Sequence, residues 1–155
     1  MTKRRGSLSV VVAMVLGLSV LVLPDRGGAA TDFTTYSLRG TYRVIFTGFS
    51  VTSGRLESGL GFFVADGLGH LTGTETFNRG TGTATAVCNV TVTGTYAINA
   101  NGTGTLRASF TSPTPGCSGE FTSALMLFEG SDLVRAVSTD PGFVTVSEEW
   151  RRQIE

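Results

Sequence analysis

From residue 38 to residue 152 apolar and polar positions alternate with a period of two, and glycine-bearing turns cut the alternation at short intervals. The clearest stretch is 84–98. There Ala84, Ala86, Cys88, Val90, Val92, Gly94, Tyr96 and Ile98 share one face, and Thr85, Asn89, Thr91, Thr93, Thr95 and Asn99 share the other. Such a segment is a long, half-buried strand. The same pattern places strands at 38–51, 58–65, 70–77, 103–112, 121–128, 133–139 and 143–151, with the charged run Glu148-Glu149-Trp150-Arg151-Arg152 as a tail to the last. On the first strand the apolar side changes near Gly48, which reads as a bulge or bend.

The tally is eight strands, every connection is short enough to join antiparallel neighbours, and no helical period follows the leader. An even number of consecutive hairpins suits closure, and closure removes the edges that threonine-rich strands would otherwise offer to aggregation. The sequence therefore predicts an all-β protein, an eight-stranded antiparallel up-and-down β-barrel, with a β-sandwich as the alternative.

The leader has its own pattern. Lys3, Arg4 and Arg5 precede an almost wholly apolar run from Leu8 to Leu23, and Gly28-Ala29-Ala30 supplies the small residues of a cleavage site. This predicts a Sec-type signal helix over 1–30, cleaved after Ala30, and a secreted or periplasmic destination. An uncleaved anchor is the alternative, although the run is shorter than the roughly 20 residues a bilayer span needs and stops at Pro24. A lipoprotein is disfavoured, because no cysteine precedes Cys88. The remainder divides into a flexible arm at 31–37, the barrel domain at 38–152 and a tail at 153–155.

Cleavage changes the charge. The whole chain has 12 basic and 12 acidic groups, and the leader removes Lys3, Arg4, Arg5, Arg26 and Asp25, leaving a mildly acidic product. With no basic stripe to displace counterions, nucleic acid is excluded as a partner. No lysine remains after Lys3, which excludes Schiff-base chemistry in the mature part. In an exported chain Cys88 and Cys117 are expected to form a disulfide. A hairpin turning through Asn99-Ala100-Asn101-Gly102 sets Cys88 opposite the neighbourhood of Pro113, and Pro113-Thr114-Pro115-Gly116 can bend Cys117 back to it. A metal site would need companion ligands at suitable spacing, and the sequence shows none.

Two resemblances are carried by specific segments. Phe63-Val64-Ala65-Asp66-Gly67-Leu68-Gly69-His70-Leu71 and the run from Gly94 to Leu106 resemble the recurring hairpins of uncharacterised Gly/Thr-rich secreted bacterial proteins. That resemblance implies export and a β-meander and carries no activity. Gly40-Thr41-Tyr42 on the first strand, with Arg151 or Arg152 after the last, is similar to the calycin arrangement of lipocalins and avidins. There a Gly-x-Trp opens the barrel and a late arginine packs across it. Here tyrosine replaces tryptophan, and the resemblance implies architecture only.

Reactive groups are sparse. His70 follows a turn glycine and reads as solvated, and Asp66, Asp132 and Asp140 read as turn formers. Glu57, Glu75, Glu120 and Glu129 are scattered; exposed ion pairs with Arg43, Arg55 or Arg107 account for them, although two could meet across strands as an acid/base pair. There is no Gly-x-Ser-x-Gly elbow, and the Gly-x-Gly clusters lack the helix a phosphate cradle requires. No catalytic residue, metal ligand or cofactor is assigned.

The functional expectation is a non-catalytic exported barrel that binds a small apolar molecule, with Tyr42, Phe46, Tyr96 and Phe110 as ligand-binding candidates. Phe62, Phe63, Phe121 and Phe128 are further lining candidates. The inward set is Tyr42, Val44, Phe46, Val90, Val92, Tyr96, Ile98, Leu106 and Phe110. One alternative is an envelope or surface interaction protein with a filled core. Another is a cyclase or isomerase of the barrel type, which an inward Arg43 or Glu75 would favour. A transmembrane barrel is not expected, because Thr, Ser, Asn and Arg dominate the second face.

Overall fold

The computed structural model describes residues 32–81 and 84–154; the expected signal segment lies outside the described residues. The strands are β1 (Arg39–Ser50), β2 (Arg55–Asp66), β3 (His70–Thr81), β4 (Ala84–Ile98), β5 (Thr103–Thr111), β6 (Gly119–Phe128), β7 (Leu133–Ser138) and β8 (Phe143–Arg152). Each pairs antiparallel with the next, and β8 pairs back onto β1, so the sheet closes as an up-and-down barrel. The β-sandwich alternative is thereby set aside. Side-chain alternation suits this closure: on β3, β4 and β5 the threonine-rich faces point outward and the opposite faces inward, while β2 turns Leu56, Leu60, Phe62 and Val64 outward and Glu57, Gly59, Gly61, Phe63 and Ala65 inward.

The inward set follows the predicted parity. Tyr42, Val44, Val90, Val92, Tyr96, Ile98 and Leu106 are buried, with Phe46 and Phe110 packed against the core. Phe62 and Phe128 instead point outward, since they alternate with inward Phe63 and Leu127 on their strands. On β1 the apolar side does not switch after Gly48, because Phe49 and Val51 are simply exposed.

The irregularity near Gly48 lies in its pairing with β8. Thr47 pairs with Ser147 and Gly48 with Thr145, leaving Val146 as the extra residue of a bulge on β8. The bulge resets the parity of β8. Val146 and Ser147 are both exposed, Phe143 and Thr145 line the interior before them, and Glu148 and Trp150 face inward after them. Gly48 is needed opposite, since a Cβ there would collide with the Phe143 ring and the Val144 carbonyl.

One end of the barrel is sealed. Trp150 is fully buried and meets Phe63 edge-on at 5.2 Å and Tyr42 at 6.4 Å. Leu38, Leu71, Leu106 and Val134 complete a layer with almost no exposure. Burial of each such side chain stabilises by about 1.5–3 kcal/mol. The arm closes over this layer: Thr35–Ser37 forms one 3-10 turn, the Phe33 amide donates to the Ala100 carbonyl at 3.0 Å, and the Phe33 ring packs on the core.

Candidate functional site: the open end of the barrel

The opposite end is open. A pocket of about 510 Å³ enters between the β1–β2, β5–β6 and β7–β8 connections. Its volume falls in the range of roughly 300–1,000 Å³ usual for small-molecule sites. Space exists there because small residues hold inward positions, among them Ser50, Ser123, Ser138 and Thr145, where the sealed end carries Trp150, Tyr42 and leucines.

Its walls are aromatic. Phe46 meets Phe77 at 6.1 Å and Phe143 at 6.3 Å, Phe77 meets Phe110 at 5.8 Å, and Phe110 meets Phe121 at 6.1 Å. These edge-to-face and tilted contacts form a continuous belt around the mouth. The disulfide holds one rim in place. Cys88 on β4 and Cys117 in the β5–β6 connection are bonded, both fully buried, with Cα atoms 5.4 Å apart. The connection is further tied by Arg79, whose Nη1 donates to the Gly116 carbonyl at 2.9 Å.

The polar groups inside were read from the sequence as surface charges, and here the structure differs. Glu57 on β2 is buried and pairs with Arg79 at 3.5 Å. Arg79 also lies over the Phe77 and Phe110 rings, at 5.1 and 5.2 Å. Glu75 on β3 and Glu148 on β8 line the same pocket. Burial pushes the Glu75 carboxyl up to about 8, and the neighbouring charge of Glu148 adds to the rise. Burial raises Glu148 too, against the hydrogen bond it accepts from Trp150 Nε1 at 2.8 Å. Glu57 is raised by burial and pulled back by Arg79. Glu120 behaves as the exposed partner the sequence suggested, 3.3 Å from Arg107, and the Glu129 side chain lies outside the described ones.

The predicted ligand-binding residues divide between the two ends. Phe46 and Phe110 line the pocket. Tyr42 and Tyr96 belong to the seal. Tyr42 Oη donates to the Ser131 carbonyl at 3.0 Å and accepts from Arg152 Nη2 at 2.9 Å. Tyr96 Oη donates to the Leu38 carbonyl and accepts the Gly67 amide at 2.8 Å. Gly67 meets it with φ +80°, a conformation that favours glycine. Both phenols are spent on satisfying backbone groups that the sealed end would otherwise bury unpaired. Arg152 packs across Tyr42, 5.5 Å above its ring, and bonds Asp132 at 3.2 Å, while exposed Arg151 pairs with Glu149.

Sequence reasoning missed Phe77, Phe143, Glu148 and the inward placement of Glu57 and Glu75. For Glu75 a signal existed, since it shares parity with Leu71 and Phe77. For Glu148 none did, because its parity is set by the bulge. Arg43 is exposed, so of the two groups that would favour an enzyme only Glu75 faces in. His70 is exposed, and the Asp66 carboxylate accepts the Leu68 and His70 amides at 2.7 and 2.9 Å, which hold its pKa below the ordinary value. Asp140 likewise accepts the Gly142 amide at 2.7 Å. Among the described residues no group of three or more His, Cys, Asp or Glu side chains could hold a metal ion. No described helix is long and apolar enough to cross a membrane.

The closed eight-stranded barrel, with Arg152 laid across Tyr42, is compatible with a calycin-like architecture. No protein-family model matches the chain, and neither a curated protein nor a solved structure matches it.

Proposed function

We propose that this chain is an exported, non-catalytic, calycin-like barrel that binds a small, largely apolar molecule in its open end. The observation that supports this reading most directly is the asymmetry of the interior: one half is packed shut and the other holds a pocket of about 510 Å³ walled by phenylalanines. Export is supported by the leader pattern at 1–30 and by the buried Cys88–Cys117 disulfide, which suits a periplasmic or extracellular setting. On β3 to β5 a water-facing barrel is favoured over a bilayer-spanning one by the outward Thr72, Thr74, Thr76, Asn89, Thr91, Thr93 and Arg107, all exposed, whereas β2 presents Leu56, Leu60, Phe62 and Val64.

The test is a thermal-shift screen of lipids and aromatic compounds against the mature protein. A ligand at 100-fold its dissociation constant adds about 2.7 kcal/mol, a shift of several degrees. Phe110→Ala is expected to abolish the shift while Tyr96→Phe keeps it. A screen in which no compound stabilises, or in which Tyr96→Phe removes the shift and Phe110→Ala does not, defeats the reading.

A second reading, a cyclase or isomerase of the barrel type, is favoured by Glu75 and Glu148. Their carboxyls share one pocket and both titrate above the usual range, as an acid and a base working near neutrality would. Turnover of a pocket ligand that Glu75→Gln stops, without loss of binding, is the result that would favour it.

A further inference from the structure

The charges inside the pocket do not balance. Five acidic side chains line it: Glu57, Glu75 and Glu148 inside, Glu120 and Asp140 at the rim. Among the described residues Arg79 is the sole cation of the lining, and it is committed to Glu57 and to the Gly116 carbonyl. Glu120 has Arg107 outside, and Asp140 accepts the Gly142 amide. Glu148 has a donor in Trp150 Nε1. Glu75 faces the same space with neither a hydrogen bond nor an ion pair among the described residues.

The same pocket lining carries hydroxyls without protein partners among the described residues. Ser123 is 2% exposed, lines the pocket and makes no side-chain hydrogen bond among the described residues. The Ser53 hydroxyl oxygen is buried on the same lining and also unpartnered. Buried polar groups in folded proteins are nearly always satisfied; another such oxygen, on Ser131, lies away from the pocket, whereas Ser53 and Ser123 face space that water or a ligand fills. Two carboxyls desolvated together hold a proton rather than both ionise, and a cation is the partner that lets both give it up.

We propose that the ligand is an amine with an apolar, preferably aromatic body: its ammonium group sits between Glu75 and Glu148 with Ser123 as a further acceptor, and its body lies within the Phe46, Phe77, Phe110 and Phe121 belt. This rests on the binding reading above and deepens it. Phenylalanine faces carry negative potential; Arg79 already lies over Phe77 and Phe110, which leaves Phe46 and Phe121 to favour a ligand cation as well as an apolar body. A neutral ligand gains only hydrogen bonds from the two carboxyls, and an anion is repelled once they ionise. Since the empty pocket keeps the Glu75 carboxyl protonated near neutrality, an arriving ammonium displaces that proton. Binding is thus accompanied by proton release and strengthens as pH rises. The charged groups facing Glu75 that enter this linkage are Glu148 from β8 and the Glu57–Arg79 pair from β2 and β3, with Glu120 and Asp140 further out.

Isothermal titration calorimetry on the purified exported protein tests this with three isosteric indoles: tryptamine, neutral tryptophol and anionic indoleacetate. Tryptamine is expected to bind at least about tenfold more tightly than tryptophol at pH ~8.5, with indoleacetate weakest. Its Kd should fall by up to about a hundredfold from pH ~6 to ~8.5, with close to one proton released per amine bound at pH ~6 and only about a quarter of one at pH ~8.5, read in buffers of different ionisation enthalpy. Glu75→Gln and Glu148→Gln should each shrink the preference for the amine and leave tryptophol affinity within about threefold. The wild-type comparisons require no variant to fold. Equal affinity for tryptamine and tryptophol, or a preference for indoleacetate, overturns the amine assignment and leaves the pocket standing. No binding by any of the three counts against the pocket reading as well.

Discussion

The two halves of one barrel are built from the same strands and end up opposite in character. At the sealed end Trp150, Tyr42, Phe63 and several leucines fill the interior against small residues such as Ala65 and Gly104, and the Tyr42 and Tyr96 hydroxyls answer backbone groups. At the open end inward positions alternate phenylalanine with serine, glycine and glutamate, so the walls touch and the centre does not fill. A strand carries no memory of which end of the barrel it enters. The difference comes from side-chain volume at equivalent inward positions, since interiors tolerate no empty space that a side chain could fill. Stability is therefore concentrated in one half, leaving the other free to hold charge and cavity.

The largest expected effect sharpens that comparison. Trp150→Ala should cost about 3–5 kcal/mol in urea denaturation, because it opens a cavity in the sealed layer and strips Glu148 of its donor. Phe121→Ala, at the half-buried mouth, should cost less than half as much. Equal losses would show that the halves contribute alike.

Next in size is the disulfide. Replacing Cys88 and Cys117 together by alanine should lower stability by about 3 kcal/mol, for a bridge spanning 29 residues. The rim it pins belongs to the pocket, so any ligand affinity should fall with it. Unchanged stability after reduction would break the link between rim and barrel.

The pH dependence separates the halves again. The Glu75 carboxyl titrates at about 8 in the folded protein and ordinarily near 4.5, so between these values the native state keeps a proton that the unfolded chain has released. Stability from this group is thus fully present below about pH 4.5, declines as pH rises to about 8 and is level above that. Glu57 and Glu148, also raised, act in the same direction. Glu75→Gln should flatten the decline and stabilise by about 2 kcal/mol at pH ~9, allowing for water entering the mouth. A wild-type profile that rises across this window would overturn the burial of the pair.

The smallest effect is expected at the seal's hydrogen bonds. Tyr96→Phe should cost about 1–2 kcal/mol by orphaning the Gly67 amide and the Leu38 carbonyl, with pocket properties untouched. Amide exchange at Gly67 should accelerate in that variant, and no acceleration would mean that water replaces the phenol without loss.

Much of the fold was legible because a period of two is a local property. The alternation in β4 predicts its bounds, its inward face and its partner β5, and the hairpin register then brings Cys88 to Cys117. Phe46 and Phe110 as pocket residues follow from the same parity. Glu148 was read as part of a charged tail because Val146 shifts the frame, and a bulge forms only when one strand must match the curvature of its neighbour. Glu75 shares parity with Leu71 and Phe77, yet a carboxyl on an apolar face reads as a surface ion pair until the pocket around it is known; Glu57 lies on the glycine-bearing parity of β2, opposite Leu56, Leu60, Phe62 and Val64, so the pattern alone turns it outward.

The chain's own residue pattern determined the strands, the inward faces of β1, β4 and β5, the turns and the cysteine pairing, since each depends on neighbours a few positions away or on one hairpin. Tertiary structure alone decided which end closes, where the cavity lies, and that carboxyls from β2, β3 and β8 share it. Those outcomes depend on barrel closure, which sets side chains across the interior from residues distant in sequence, and on how completely their volumes fill the space between.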